Sequence, residues 1–182
     1  MAQVAGGRPS DEATAEQLEL AKEQGRAFER ALKEMTQDEA HGSEQQVGDY
    51  LIGFAVEAAE GMYVPDGGEL TWREPEDENA HLEVSVRDAG DGRFIPALQV
   101  TLTVSRADGQ GEVGTEEQPF LWHPWLYHYG RNWTLPESGS YDLLVRVEPP
   151  TFPRHDRRNG TRYAEPVEAR FSGVHIEVGQ KK

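Results

Sequence analysis

The sequence predicts an all-β fold, an antiparallel β-sandwich preceded by an N-terminal α-helical extension. Three observations predict it. Several short runs alternate apolar and polar residues with a period of two, as in HLEVSVRD at 81–88 and YDLLVRVE at 141–148. Clusters of Gly, Pro and Asp separate the runs: PDGG at 65–68, DAGDG at 88–92, ADGQGEVG at 107–114 and PESGS at 136–140. Ahead of them lies one segment whose apolar residues recur at helical spacing.

Taken in chain order, residues 1–9 are Gly/Ala-rich and are expected to form a disordered tail. Residues 10–42 form the amphipathic helix extension. Leu18, Ala21, Phe28, Leu32 and Met35 make one apolar stripe, and Glu, Gln, Lys and Arg fill the other faces. Ser10 or Thr14 caps its start, and Thr14 has Gln17 three residues on, as a capping box requires. His41-Gly42-Ser43 ends it. A single stripe must be buried on something, either the chain's own sheet or a partner's helix.

Residues 43–182 form the sandwich domain. YLIGFAVEAA (50–59) is an apolar strand. HLEVSVRD (81–88) is half-buried, with Leu82, Val84 and Val86 on the core face and His81, Glu83, Ser85 and Arg87 on the polar face. ALQVTLTVS (97–105), YDLLVRVE (141–148) and EARFSGVHIEV (168–178) complete the set. There is no internal repeat.

Composition narrows the function. The 182-residue chain carries 33 acidic residues against 18 basic ones, a net charge of -15. Such a chain repels a phosphate backbone, which excludes nucleic acid as a partner. Cysteine is absent, which excludes disulfides, thiolate metal sites and thiol nucleophiles. Any transition-metal site must therefore use His, Met, Asp or Glu. No run approaches the roughly 20 apolar residues of a membrane span. The start, MAQVAGGRPS, has no basic flank followed by an apolar stretch; the protein is either cytosolic or has lost a leader. No Gly-x-Ser-x-Gly elbow and no phosphate-binding Gly-rich loop with Lys-Ser/Thr occurs. The expectation is a protein that is not an enzyme, with metal-dependent oxidoreduction as the one enzymatic alternative.

Six histidines are present. His41 falls in the expected helix-to-strand linker and His175 on the polar face of the last strand, both as surface residues. His81 and Glu83 stand two apart on one strand, so their side chains leave the same face roughly 7 Å apart at the backbone. The stretch FLWHPWLYHYGRNW (120–133) holds three of the four tryptophans together with His123 and His128. Its aromatics are expected to pack down and hold an ordered loop that fixes the imidazoles. The alternative is a β-sandwich interaction module without metal, using this aromatic loop to bind a protein. His155 lies in EPPTFPRHDRRNG (148–160), where prolines stiffen the chain and aim the imidazole back over the sheet end.

HLE at 81–83, FIPALQVTLTV at 94–104, HYGRNWTLPESGSYDLLVRVEPP at 128–150 and Arg154-His155 together resemble the Fe2+ transport protein family. The likeness covers about residues 48–178. The family's members are periplasmic accessory proteins of bacterial iron uptake, exported or lipid-anchored. The resemblance implies an immunoglobulin-like sandwich that forms a homodimer, a copper-type site and a second cation close by. The implied ligands are His81, Glu83, His128 and His155, with a methionine seven residues before the HYG histidine. That position is Leu121 here, which cannot ligate; His123 or, less favourably, Met62 would take its place. Imidazoles with one carboxylate suit Cu(II), Zn(II), Fe(II) or Mn(II) rather than Cu(I). The expected cofactor is thus a divalent transition metal, Cu or Fe, with Zn and Mn also accommodated. An iron permease is the implied partner. The implied location is periplasmic, or cytoplasmic if the leaderless start is native.

Overall fold

The computed structural model describes residues 10–38, 41–109 and 111–181. The expected tail at 1–9 and the side chain of His41 lie outside what it describes. Helix α1 spans Ala15–Asp38. Thr14 closes the capping box: its N–H donates to Gln17 Oε1 at 2.9 Å, and Gln17 N–H donates to Thr14 Oγ1 at 3.3 Å. Ser10 does not cap the helix. Its hydroxyl accepts from the N–H groups of Glu12 and Ala13 and forms the turn that leads into it.

The far end differs from expectation. HGS is not a helix stop, because β1 (His41–Val47) is already a strand. It pairs antiparallel with β2 (Tyr50–Glu57) from His41↔Val56 to Val47↔Tyr50. Gly48 takes the positive φ of 57° that the tight turn between them needs. HGSEQQV is polar up to Val47, so no alternation marks it; its partner strand supplies the ladder.

The remaining strands are β3 (Met62–Asp66), β4 (Glu69–Arg73), β5 (Ala80–Asp88), β6 (Val100–Arg106), β7 (Glu112–Glu117), β8 (Phe120–Trp122), β9 (Tyr127–Trp133), β10 (Gly139–Val147) and β11 (Val167–Ile176). One sheet has the order β1-β2-β5-β9-β8 and the other β11-β10-β6-β7. Every pairing within them is antiparallel. β3 and β4 form a separate hairpin. The core lies between the two sheets, with Ile52, Leu82, Val84 and Tyr129 from one and Leu102, Leu143, Val145 and Ile176 from the other. β6 starts at Val100 rather than Ala97 because Ala97 has φ 57° and the Leu98 N–H is taken by the Tyr129 hydroxyl at 3.0 Å. In β11 the buried side switches from Ala169 and Phe171 to Val174 and Ile176. An irregularity opposite Tyr141 to Leu143, with Gly173 at φ 67°, makes the switch and leaves His175 exposed.

β5 is not half-buried: all nine of its residues are buried. The apolar stripe of α1 covers the outer face of the five-stranded sheet. Met35 packs with Ala55 and Leu126, flanked by Phe28, Ala31 and Leu32, in a small second core. Of the two partners considered for the stripe, the chain's own sheet is therefore the one used. Burying this face traps Arg87, which is 4% exposed. Glu44 of β1, its side chain 30% exposed, pairs with it through contacts of 2.6 and 2.8 Å to Nη2 and 3.0 Å to Nε. Truncating one partner of such a pair strands the other charge. Glu44→Ala is expected to destabilise the fold by about 2–3 kcal/mol in urea denaturation, while Glu44→Gln loses about half as much.

The stretch 120–133 is a hairpin and not an ordered loop. β8 and β9 pair from Phe120↔Tyr129 to Trp122↔Tyr127 around a turn at 123–126. Tyr129, Trp133 and Leu126 are buried, but Phe120, Trp122, Trp125 and Tyr127 are exposed, Trp122 to 71%. β8 is an edge strand, so its aromatics have a neighbouring strand on one side only.

Candidate metal centre

The register of β5 against β9 builds the site. His81 stands opposite Asn132 and Glu83 opposite Gly130. His128 lies two residues from Gly130 on β9. The two-residue period of a strand then sends His81, Glu83, Asn132 and His128 to one face, the outer face beneath α1. His81 is 0% exposed, Glu83 5% and His128 4%.

The three ligand atoms of His81, Glu83 and His128 lie within 4.8 Å of one another. Glu83 Oε1 is 3.6 Å from His81 Nε2 and 3.2 Å from His128 Nε2. The two rings are 6.0 Å apart and nearly perpendicular, at 82°. Donor atoms bound at about 2.0–2.2 Å to one ion stand roughly 3–4 Å apart. The trio already approaches that separation.

Asn132 sets the tautomer of His81. Its Nδ2 donates to Glu60 O at 2.7 Å, and its Oδ1 accepts from Glu60 N–H at 3.3 Å. The amide is thereby oriented, and Oδ1 is what faces His81 Nδ1 at 2.9 Å. Nδ1 must then carry the proton, which leaves the Nε2 lone pair directed at the carboxylates. Gly130 keeps the space clear: a β-carbon there would lie 3.0 Å from Leu82 O and 3.3 Å from both His81 Nε2 and His128 Cδ2.

Burial holds both imidazoles neutral. It pushes the pKa of His128 down to about 3, helped by the cationic forms of His81 and His123. It also lowers that of His81, against the opposing pull of Glu60 and the Asn132 hydrogen bond. A neutral imidazole is the form that binds metal. His81 Nε2 and both ring nitrogens of His128 are buried without a hydrogen-bond partner. Orphaned lone pairs converging on a carboxylate are costly unless a cation sits among them. The residues present therefore fit a divalent transition metal.

The other expected ligands are placed differently. His123 is half-buried in the β8–β9 turn, its ring 6.2 Å from that of His128 and its Nδ1 without a partner. It shares a small cavity of about 30 Å³ with His128 and Glu83 but stands outside the compact trio. Leu121 is directly cross-strand from His128. Met62 begins β3 and borders a different hollow beside Gly130 to Asn132. His155 is exposed in the segment between β10 and β11, and within one chain it is not brought to the trio.

Sequence reasoning missed Asn132, Glu57, Glu60, Lys181 and Met35, all of which border the site. Glu57, Glu60 and Glu83 form a second group with ligand atoms within 4.8 Å. Asn132 had a signal, since it sits on the strand face of His128 four residues on. Asn132→Ala is expected to weaken Cu(II) binding by about 10–100-fold with the trio intact, read by competition titration.

A buried His–Glu–His cluster on the outer face of an antiparallel β-sandwich defines this chain as a sandwich with a cluster of metal-ligating side chains. The chain belongs to the Fe2+ transport protein family, whose profile matches residues 35–175. A UPF0423 protein of Brucella abortus (strain 2308) is 28% identical over 124 residues, covering 60% of this chain and 68% of that protein. The fold is shared with copper-reconstituted P19 of Campylobacter jejuni, at a TM-score of 0.65 and 18% identity, covering 78% of this chain and 98% of that one. It is also shared with FetP of uropathogenic Escherichia coli strain F11, at a TM-score of 0.61 and 22% identity, covering 76% and 97%. Among the described residues no helix is long and apolar enough to cross a membrane.

Proposed function

We propose that the protein is an iron-transport accessory protein that holds a divalent transition cation at His81, Glu83 and His128 and delivers or buffers it. The observation that carries this reading is the set of three buried ligand atoms within 4.8 Å, whose imidazole nitrogens have no hydrogen-bond partner. Two neutral imidazoles and one carboxylate bind Cu(II) or Zn(II) tightest in solution, by the usual order of divalent affinities. His123 is the nearest further imidazole and serves as a fourth donor after a small turn movement. Support for copper comes from the copper-bound state of P19.

His155 enters as a ligand from a second copy of the chain. It is exposed and away from the trio within one chain, while family resemblance implies both a ligand at this position and a homodimer. The exposed aromatics Phe120, Trp122, Trp125 and Tyr127 beside the site provide a face for that second copy. The same face is what favours the second reading, a protein-interaction surface toward an iron permease. An extracytoplasmic location is supported by family membership and by FetP, which was recombinantly expressed in the periplasm.

Calorimetric titration of the metal-stripped protein with Cu(II), Zn(II), Mn(II) and Fe(II) tests the reading. It requires one stoichiometric Cu(II) per chain, and sedimentation should show a dimer. Weak, superstoichiometric binding of all four ions alike would contradict it.

A further inference from the structure

His81, Glu83 and His128 stand on the outer face of a sheet, yet none is more than 5% exposed. Met35 of α1 and the turn residues His123 and Leu126 close over this place. Two hollows meet there. One, of about 30 Å³, lies at Glu83 and His128; the other, of about 190 Å³, runs beneath α1 to the exposed Lys33, Gly42 and Ser43. Met35, Glu83 and His128 are the residues that line both. Glu83 and His128 belong to the sheet, so Met35, itself 7% exposed, is the movable member of the partition.

α1 is lightly held. Its ion pairs, Glu19 with Lys22 and Arg26 and Glu29 with Lys33, run within the helix. Apolar packing fastens it: Met35 against Ala55 and Leu126, and Phe28 against Phe94 with 5.4 Å between the rings. Further hollows of about 330 and 460 Å³ lie along its underside. An element with few buried apolar contacts opens at low cost. Its ends are tied, since Asp11 Oδ1 accepts from Arg157 N–H at 2.9 Å ahead of it and β1 follows it, so it can lift as a strap without leaving. All but its last turn precedes the residues matched by the family profile.

We propose that α1 is the lid of the metal centre and Met35 its plug: a cation reaches and leaves His81, Glu83 and His128 through the hollow beneath α1, when the helix lifts from the sheet. The proposal rests on the proposed function for the place of the ion. A lid of this kind sets the rates of uptake and release together and leaves the affinity to the ligands.

Gly25 offers a lever on the lid away from the ligands. A β-carbon there would lie 1.8 Å from Asp91 O. The turn that carries Asp91 is fixed, because Asp88 Oδ1 accepts from the N–H groups of Gly90 and Asp91 at 2.6 and 2.9 Å. A side chain at position 25 must therefore push the helix off, roughly 15 Å along its axis from Met35. Phe28→Ala loosens the same helix by removing its contact with Phe94, and Met35→Ala joins the two hollows.

The test is Zn(II) transfer from the loaded full-length protein to an excess of the coloured chelator pyridylazoresorcinol, followed by stopped-flow absorbance, with Zn(II) uptake measured alongside. Gly25→Val, Phe28→Ala and Met35→Ala are each expected to release Zn(II) at least roughly tenfold faster than wild type and to take it up faster by a similar factor, with the affinity within about threefold of wild type. Phe28→Ala and Met35→Ala carry the comparison if Gly25→Val does not fold. Release as slow as in wild type would overturn the proposal and leave α1 as a fixed cover. Faster release with unchanged uptake would also overturn it, because α1 would then hold the ion instead of gating it. Zn(II) binding that is indifferent to His128→Ala would refute the proposed function and with it the ion that the lid covers, whereas unchanged rates with binding that depends on His128 overturn the lid alone.

Discussion

His128→Ala is expected to lower Cu(II) affinity by roughly a hundredfold or more while leaving the sandwich folded. The large binding effect follows from geometry. His128 is the one imidazole that β9 contributes to the trio, and its Nε2 faces Glu83 Oε1 at 3.2 Å. Without it, His81 and Glu83 are a two-ligand remnant on one strand, a pattern common on polar strand faces without metal. The small folding effect has its own cause. Both ring nitrogens of His128 are buried and lack hydrogen-bond partners, so deleting the ring removes unsatisfied polar atoms along with packing. Cavity formation and relief of desolvation then oppose each other, and a net loss of about 1–2 kcal/mol is expected. The pair of measurements is a copper competition titration and a urea unfolding curve. A variant that keeps wild-type copper affinity would remove His128 from the site.

The second large effect is on acid stability. The pKa of His128 in the folded protein is about 3, against an ordinary value near 6.5. Below pH 6.5 the unfolded chain takes up a proton that the native chain does not. The unfolded state then binds more protons, so stability falls as pH falls, and the loss continues until the native imidazole protonates near pH 3. His81 contributes in the same direction, since burial lowers its pKa too. At pH 4.5 the His128 contribution amounts to about 2–3 kcal/mol relative to pH 7.5. Carboxylates also titrate in this range, so the useful quantity is a difference. Between pH 7.5 and 4.5, metal-stripped wild type should lose about 2–3 kcal/mol more than His128→Ala. Parallel loss in the two proteins would mean that His128 is solvated or charged in the folded state.

Much of the placement of the candidate residues was legible because strand parity is a local property. The spacing in HLE alone puts His81 and Glu83 on one face, and the structure has them there. Core strands with clean alternation, such as β6 and β10, were likewise visible. The capping box at Thr14 and Gln17 was visible for the same reason, since both members lie within one turn. What was not legible depends on partners distant in sequence. β1 is polar up to its last residue, Val47, and becomes a strand because β2 lies beside it. The aromatic stretch 120–133 reads as a loop because exposed and buried aromatics look alike in composition; pairing across the turn makes it a hairpin. β5 reads as half-buried because its alternation is perfect, and only the docking of α1 seals the polar side. Lys181 reaches Glu57 across 124 positions, a distance over which no sequence spacing carries information. The resemblance named His155, yet within one chain this exposed residue is not brought to the trio.

The most direct measurement is anomalous diffraction from a crystal of the metal-stripped protein soaked with one equivalent of Cu(II). The account predicts one dominant copper peak within bonding distance, about 2.0–2.3 Å, of His81 Nε2, Glu83 and His128. Copper at exposed His175 or on the acidic surface, with His81 and His128 left unligated, would contradict it.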